Sequence, residues 1–356
     1  MTRRLLSSHS TLPELSPMLT ETQLEQWRRL VAEAQRIVIC THKSPDGDAL
    51  CSSLALAHYL QTEGKIAAIA IPDAFPDFLQ WLPGANQVKR YDKDAASVEQ
   101  LLAKADLIFC LDINTTTRVA TMQTALDGAP APRIVVDHHT GPDINAALLL
   151  SQPHMSSATE MIFRIVSQMG ALNRVGAQFY TCCYCGMMTD TGNFAYNCSY
   201  ADFFHIIAYL VGQGVDKEKI SHRVYNSYSA DCLRLRAMVI SEKMRIVPEQ
   251  HAAYFVLTAD EMQRYHYVKG DAEGLVNEPL RIKDILLSIS LREDNAHPNL
   301  VWVSLRSAGN YTCHRLAERY FNGGGHPNAA GGKLLCSIQE AERIVQQAIN
   351  NWMNTQ

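Results

Sequence analysis

The sequence lacks any apolar run approaching the roughly 20 residues that a helix needs to cross a bilayer, so a soluble protein without membrane partners is expected. A secretory start is also missing: the basic Met1-Thr-Arg-Arg4 leads only into Leu5-Leu6 before the chain turns polar at Ser7. The ten cysteines are therefore expected as reduced thiols in the cytoplasm, not as a disulfide framework. Positive charge is not in excess. With 32 Lys and Arg against 36 Asp and Glu, the formal charge of -4 argues against a protein that grips long duplex nucleic acid by neutralising its phosphates. Any anionic ligand must meet a local basic pocket. Internal repeats, low-complexity tracts and coiled-coil heptads are absent too.

What is present is a chain of 356 residues, 47% of them apolar, longer than one hydrophobic core usually supports. Two domains with a cleft between them are expected. Residues 1–20 look like a flexible arm, and Thr20-Glu-Thr-Gln23 has capping-box spacing for a helix running to about Gln35. Arg36 to Cys40, Lys65 to Ile71, Ala105 to Leu111 and Arg133 to Val136 read as buried strands, with a helix from Ala49 to Thr62. Alternation of this kind predicts an α/β fold with a mostly parallel sheet flanked by helices. Helical patterns dominate from Ser157 to Ile246, among them Ala158 to Met169, Val175 to Met188 and a long stretch from Asp231 to Ile246 that Pro248 closes. A smaller C-terminal α/β domain follows. Its strands are expected at His251 to Leu257, Ile285 to Arg292 and Leu300 to Arg306, and its helices near Cys313 to Tyr320 and Ile338 to Trp352.

Three of the apolar strands end in acid or imidazole. The first runs into Thr41-His42-Lys-Ser-Pro-Asp46-Gly-Asp48, the third into Asp112-Ile-Asn114, and the fourth into Asp137-His138-His139. In an open parallel sheet, ligands bind outside the carboxyl ends of the strands. Asp-Gly-Asp alone is equally at home in a solvated turn, but three unrelated polar turns at three strand ends is the less economical account. Carboxylates mixed with imidazoles, and no adjoining thiolate, favour a pair of six-coordinate Mn²⁺ or Mg²⁺ ions over structural zinc. Asp190-Thr-Gly192, at the end of an apolar helix, reads either as a further ligand or as an ordinary helix exit. Cys182-x-x-Cys185 has no matching second pair, so it is read as small buried residues.

In the C-terminal part, Asn322-Gly323-Gly324-Gly325-His326 reads as a glycine loop whose N–H groups could nest an anion, with His326 adding a donor. Strand alternation puts Ser304 and Arg306 on one face, where Arg306 could fork onto a phosphate. Arg315 and Arg319, four apart on the next helix, are compatible with either a solvated face or a ligand role.

Taken in order, His42-x-x-x-Asp46-x-Asp48, Asp112, Asp137-His138-His139, Asp190-Thr-Gly-x-Phe194 and Gly323-Gly-Gly-His326 closely resemble the motifs of the DHH/DHHA1 phosphoesterase family, across about residues 36 to 335. The compact form is most similar to the bacterial branch of bifunctional oligoribonucleases and 3'-phosphoadenosine 5'-phosphate (pAp) phosphatases. The resemblance implies a metal-binding catalytic domain at 21–215, a helical linker at 216–248 and a substrate-binding domain at 249–356. It implies that His42 and Asp46 bind one Mn²⁺, Asp48 and His138 bind another, and Asp112 and Asp190 contact both, with Mg²⁺ or Co²⁺ as substitutes. Asp137 would orient a ligand and His139 would face the scissile phosphate. Ser304, Arg306, Ser307 and Gly323, Gly324, Gly325 and His326 would bind substrate. Two departures stand out: Cys51, and Asn322 before the triplet, each occupy a position where many relatives have glycine. Short RNA oligonucleotides, linear dinucleotides and pAp are the expected substrates, with cyclic dinucleotide hydrolysis and RecJ-type exonuclease action as alternatives and a homodimer left open. A non-catalytic nucleotide sensor is disfavoured because all six expected metal ligands are present.

Overall fold

The computed structural model describes residues 11–353, and the chain divides after Ser227 into two compact units, each built on its own sheet. Half of the expected flexible arm, residues 1–10, lies outside the described residues. That expectation is corrected at the inner end of the arm. Met18 and Leu19 are buried, and their N–H groups donate to Gln168 Oε1 at 3.2 and 3.0 Å, so this apolar pair is docked before the first helix begins. Thr20 and Gln23 then form the expected capping box for the helix Glu21–Glu33.

In the first unit β1 (Arg36–Cys40), β2 (Ile66–Ile71), β3 (Lys89–Arg90), β4 (Leu107–Leu111), β5 (Arg133–Asp137) and β6 (Leu148–Ser151) form a parallel sheet of order β3-β2-β1-β4-β5-β6. These strands are almost uninterruptedly apolar because helices cover both faces. Ile37, Ile39, Leu107 and Phe109 enter one core, while Val38, Cys40, Ile108 and Cys110 enter the other. Strand order reverses between β1 and β4, the place where an open sheet of this type leaves a crevice at its carboxyl edge.

Two glycines bring the helices Gly47–Thr62 and Ala177–Asp190 together. A Cβ on Gly186 would stand 2.2 Å from Thr159 Oγ1 and 2.8 Å from Cys51 Cβ, and one on Gly47 would stand 2.2 Å from Thr189 Oγ1. Close approach at both points draws Asp190 toward the turn that carries Asp46 and Asp48. Cys51 therefore packs against a neighbour that has no side chain.

The second unit carries β7 (Arg245–Val247), β8 (Ala252–Leu257), β9 (Leu287–Glu293), β10 (Leu300–Ser307), β11 (Gly324–His326) and β12 (Ala329–Leu335), in the order β11-β12-β10-β9-β8-β7. Only the β8–β9 pair is parallel among these described strands. Helices His314–Tyr320 and Ile338–Trp352 cover one face through Leu316, Phe321, Val345 and Trp352. The long helix expected from Asp231 to Ile246 is corrected: Ala230–Met238 is helical, Val239–Lys243 forms one over-wide turn, and Ile246 pairs with Ala253 as an edge strand. Pairing with β8 satisfies backbone groups that one more helical turn would have used internally. Pro248 opens a short 3₁₀ turn instead of ending a helix.

Candidate metal centre

Six candidate ligands converge at the carboxyl edge of the first sheet, each placed by a different local device. His42 follows β1 by one residue and is buried. Its Nδ1 lies 2.9 Å from the Lys43 carbonyl, an acceptor only, so Nδ1 carries the proton and Nε2 is left to face inward. Asp46 caps the next helix by accepting from Ala49 N–H at 3.0 Å. Asp48, in the first turn of that helix, is buried and accepts from Ala158 N–H at 2.7 Å and Thr159 N–H at 2.8 Å. Those amides open the helix Ala158–Gln168, whose positive end suits a carboxylate.

Asp112 takes a left-handed backbone conformation, φ 57°, as soon as β4 ends, and its two oxygens address different histidines. Oδ2 lies 3.2 Å from His42 Nε2, and Oδ1 lies 3.4 Å from His138 Nε2. His138 in turn has its Nδ1 3.3 Å from the Met155 carbonyl, which again leaves Nε2 inward, 3.8 Å from Asp48 Oδ2 and 3.6 Å from Asp190 Oδ2. Asp137 does something else. Its Oδ1 meets His139 Nδ1 at 2.7 Å and its Oδ2 accepts the His139 N–H at 3.1 Å, so the carboxylate clamps both the ring and the backbone of His139.

Two sets of the expected ligands share Asp112, His42 with Asp46 and Asp112 and Asp48 with His138 and Asp112, the ligand atoms of each set lying within 4.8 Å of one another; a third such set joins Asp112 to Asp137 and His139, and Asp190 falls in none of the three. Thr41 Oγ1, His42 Nε2 and Asp112 Oδ1 are buried without a hydrogen-bond partner among the described residues. Orphaned polar atoms are costly, and two of these, on His42 and Asp112, belong to side chains of one cluster, which fits a cation held by carboxylate and imidazole donors. The His42–Asp112 approach is electrostatic, not a well-formed hydrogen bond.

Charge crowding sets the protonation of the site. Burial opposes a charged His138, but Asp112, Asp190 and Asp48 outweigh it and hold its pKa well above the ordinary imidazole value. His42 is raised on the same balance, with burial and Arg118 opposing and Asp112 and Asp46 prevailing. Burial raises the Asp48 carboxyl, and repulsion from Asp112 and Asp190 raises it further, whereas Asp112 is held low, against its burial, by His138 and His42. His139 is lowered by burial, with Asp137 pulling the other way, so its ring favours the neutral form.

In the second unit, the glycine loop is corrected to a hairpin. Gly324–His326 pairs with Ala329–Leu335, and a Cβ on Gly323 would fall 1.9 Å from the Gly331 carbonyl, so glycine is required there by backbone approach. Asn322 takes φ 47°, a conformation that asparagine tolerates better than other side chains. Ser304 and Arg306 are half-exposed on one face of β10, as expected. Ser307 departs: alternation turns it to the buried face, where its Oγ accepts from Asn328 Nδ2 at 3.1 Å. Arg319 lies over the Tyr320 ring, 5.4 Å from its centroid.

Two features escaped the sequence reading. The Ala158 and Thr159 amides cradle Asp48, and Ser157-x-x-Glu160, an N-terminal capping pattern, was their available signal. Arg118 has its carbonyl bonded to Lys43 N–H at 2.8 Å and its charge felt by both His42 and His139, with no signal beyond its distance from Asp112 in sequence.

The N-terminal domain of the DHH family matches residues 36–187, and the DHHA1 domain matches residues 252–355. A solved exopolyphosphatase-related protein from Bacteroides fragilis is 39% identical and superposes with a TM-score of 0.89, covering 95% of this chain and 98% of that one. The bifunctional oligoribonuclease and PAP phosphatase NrnA of Thermus thermophilus is 29% identical over 89% of this chain and 92% of its own length. The cyclic-di-AMP phosphodiesterase GdpP of Geobacillus thermodenitrificans is 23% identical over 91% of this chain but 49% of its own length. With both domains matched in order and acidic and histidine groups clustered at the sheet edge, this chain belongs to the DHH/DHHA1 family of phosphoesterases.

Proposed function

We propose that the protein is a two-metal phosphodiesterase that hydrolyses short oligoribonucleotides and linear dinucleotides such as pApA to mononucleotides, and that it also removes the 3'-phosphate of pAp. The observation that carries this reading is the divided carboxylate of Asp112, one oxygen toward His42 and the other toward His138. Two Mn²⁺ ions held by His42, Asp46, Asp48, Asp112, His138 and Asp190 would supply Lewis acidity toward a phosphoryl oxygen and a water acidified into the neutral range. Asp137 fixes His139 in the tautomer whose Nε2 can accept a proton during attack and pass it to the leaving oxygen. Arg306 offers charge to the phosphate, and Ser304 with the Gly323 to His326 hairpin offers hydrogen bonds. Similarity to the Thermus thermophilus protein over nearly its whole length supports this substrate class, and a cytoplasmic setting accords with it.

A substrate panel with added Mn²⁺ tests the reading: pApA, longer oligoribonucleotides, cyclic di-AMP, pAp and pyrophosphate. Preferred turnover of pApA and short oligonucleotides is expected. Comparable slow turnover of all five overturns it. The relation to a cyclic-di-AMP phosphodiesterase makes preference for that substrate the specific alternative.

A further inference from the structure

The turn between β6 and the helix Ala158–Gln168 serves two of the candidate ligands at once. The Met155 carbonyl lies 3.3 Å from His138 Nδ1 and so decides which ring nitrogen faces inward. A few residues further on, the Ala158 and Thr159 amides hold the two oxygens of Asp48 at 2.7 and 2.8 Å. His138 follows β5 and Asp48 opens a different helix, yet this one turn orients both, so whatever holds the turn holds the pair. The other ligand set is oriented elsewhere. His42 takes its direction from the Lys43 carbonyl, and Asp46 from the Ala49 N–H.

The turn is held by Glu160, a carboxylate with no exposed surface. Its Oε2 accepts from Ser156 N–H at 3.1 Å, from Ser156 Oγ at 2.6 Å and from the Tyr200 hydroxyl, while its Oε1 accepts from Arg164 Nε at 2.7 Å. The Tyr200 oxygen accepts from the same Ser156 N–H at 3.1 Å. Burial, and then the Glu160 charge beside it, raise the pKa of that hydroxyl and keep it a donor. Ser157 caps the helix by accepting from Glu160 N–H at 3.0 Å. In a capping box the acidic side chain would return to the N–H of the cap residue itself; Glu160 instead takes both donors of Ser156, one residue earlier, and so reaches into the turn. A helix cap does not require a fully buried ion pair, whose desolvation is costly. Fixing the turn does account for it.

We propose that Glu160, together with Tyr200, is a positioning residue for the metal site of Asp48 and His138, holding through Ser156 the turn that orients both ligands. This rests on the reading of those two residues as metal ligands. It makes the two sites unequal: the site of Asp48 and His138 depends on the Glu160 network, and the site of His42 and Asp46 does not. The network continues outward, since Arg164 Nη1 also donates to Asp202 Oδ2 at 3.1 Å, and Asp202 accepts from Ser16 N–H at 3.1 Å. Its outer end supports the fold without touching the turn.

Mn²⁺ alone is the probe, titrated into the full chain and followed by calorimetry and by electron paramagnetic resonance, with thermal unfolding of the metal-free protein alongside. The parent should bind two Mn²⁺ and show the spin-coupled signal of an adjacent pair. Tyr200→Phe, which removes one hydroxyl, and Glu160→Gln should keep one Mn²⁺ at parental affinity and bind the other about tenfold or more weakly, so that the coupled signal gives way to that of a single ion. Asp202→Asn should lower the unfolding temperature and leave both affinities unchanged, which separates support of the fold from placement of the ligands. Should Glu160→Gln not fold, Tyr200→Phe decides. A folded Tyr200→Phe that binds both ions as the parent does overturns the proposal, and so does equal weakening of both sites, or weakening in Asp202→Asn to the same degree. A parent that takes up no Mn²⁺ overturns the metal assignment and the proposal with it. Selective loss of one ion, in a protein that hydrolyses none of the nucleotides, supports the positioning role and overturns the phosphodiesterase reading instead.

Discussion

Asp48 and Thr159 are joined twice across 111 residues: Thr159 N–H donates to Asp48 Oδ1 at 2.8 Å, and Thr159 Oγ1 donates to the Asp48 carbonyl at 3.3 Å. A site carboxylate is thereby fixed to a helix that supplies no metal ligand of its own. Replacing Thr159 by valine keeps the shape and removes the hydroxyl. A loss of about 1 kcal/mol in denaturant stability is expected, together with weaker Mn²⁺ binding. Equal stability and equal Mn²⁺ affinity in the variant would show that the second link is idle.

Asp112 is the residue both ligand sets share, and its backbone is left-handed, a conformation asparagine adopts with little strain. Asp112→Asn should therefore fold while losing hydrolysis by 10³-fold or more and losing the rise in melting temperature on adding Mn²⁺. His138→Ala should behave alike. A variant as active as the parent sinks the assignment of both sets.

His42 and His138 have raised pKa values in the metal-free protein, and a metal needs the neutral ring. Mn²⁺ binding should therefore expel protons, and its affinity should rise with pH until the pH passes the raised folded values of the two rings. Calorimetry in buffers of differing ionisation heat measures the protons released. The same shifts stabilise the metal-free fold below an unfolded imidazole value of about 6.5, a contribution lost as pH rises through the folded values. Affinity independent of pH would contradict this charge balance.

Gly186 faces Thr159 and Cys51 at distances that leave no room for a methyl group. Gly186→Ala should cost about 1–3 kcal/mol through overpacking, and by shifting the helix that ends in Asp190 it should also weaken Mn²⁺ binding. The double variant Gly186→Ala, Cys51→Gly should recover part of both losses. No recovery would mean that Cys51 is not the obstructing contact.

The sequence by itself determined the parallel strands of the first unit and the chemistry at their ends. A strand buried on both faces must be apolar throughout, so His42, Asp112 and Asp137-His138-His139 mark the points where β1, β4 and β5 stop. The same alternation made Ser304 and Arg306 legible on β10, and it should have excluded Ser307, one residue further on the buried side. Only the tertiary structure decided the rest, because it depends on partners far away in the chain. The helix expected through Ile246 ended early once β8 offered its edge, and the glycine loop became a hairpin because Gly323 can lie against Gly331. Periodicity could not say that Asp112 divides its oxygens between two histidines, or that Asp48 is held by the amides of Ala158 and Thr159. Residue type supplies the ligand chemistry locally. Distance, register and close packing, which no local pattern records, decide which ligands meet.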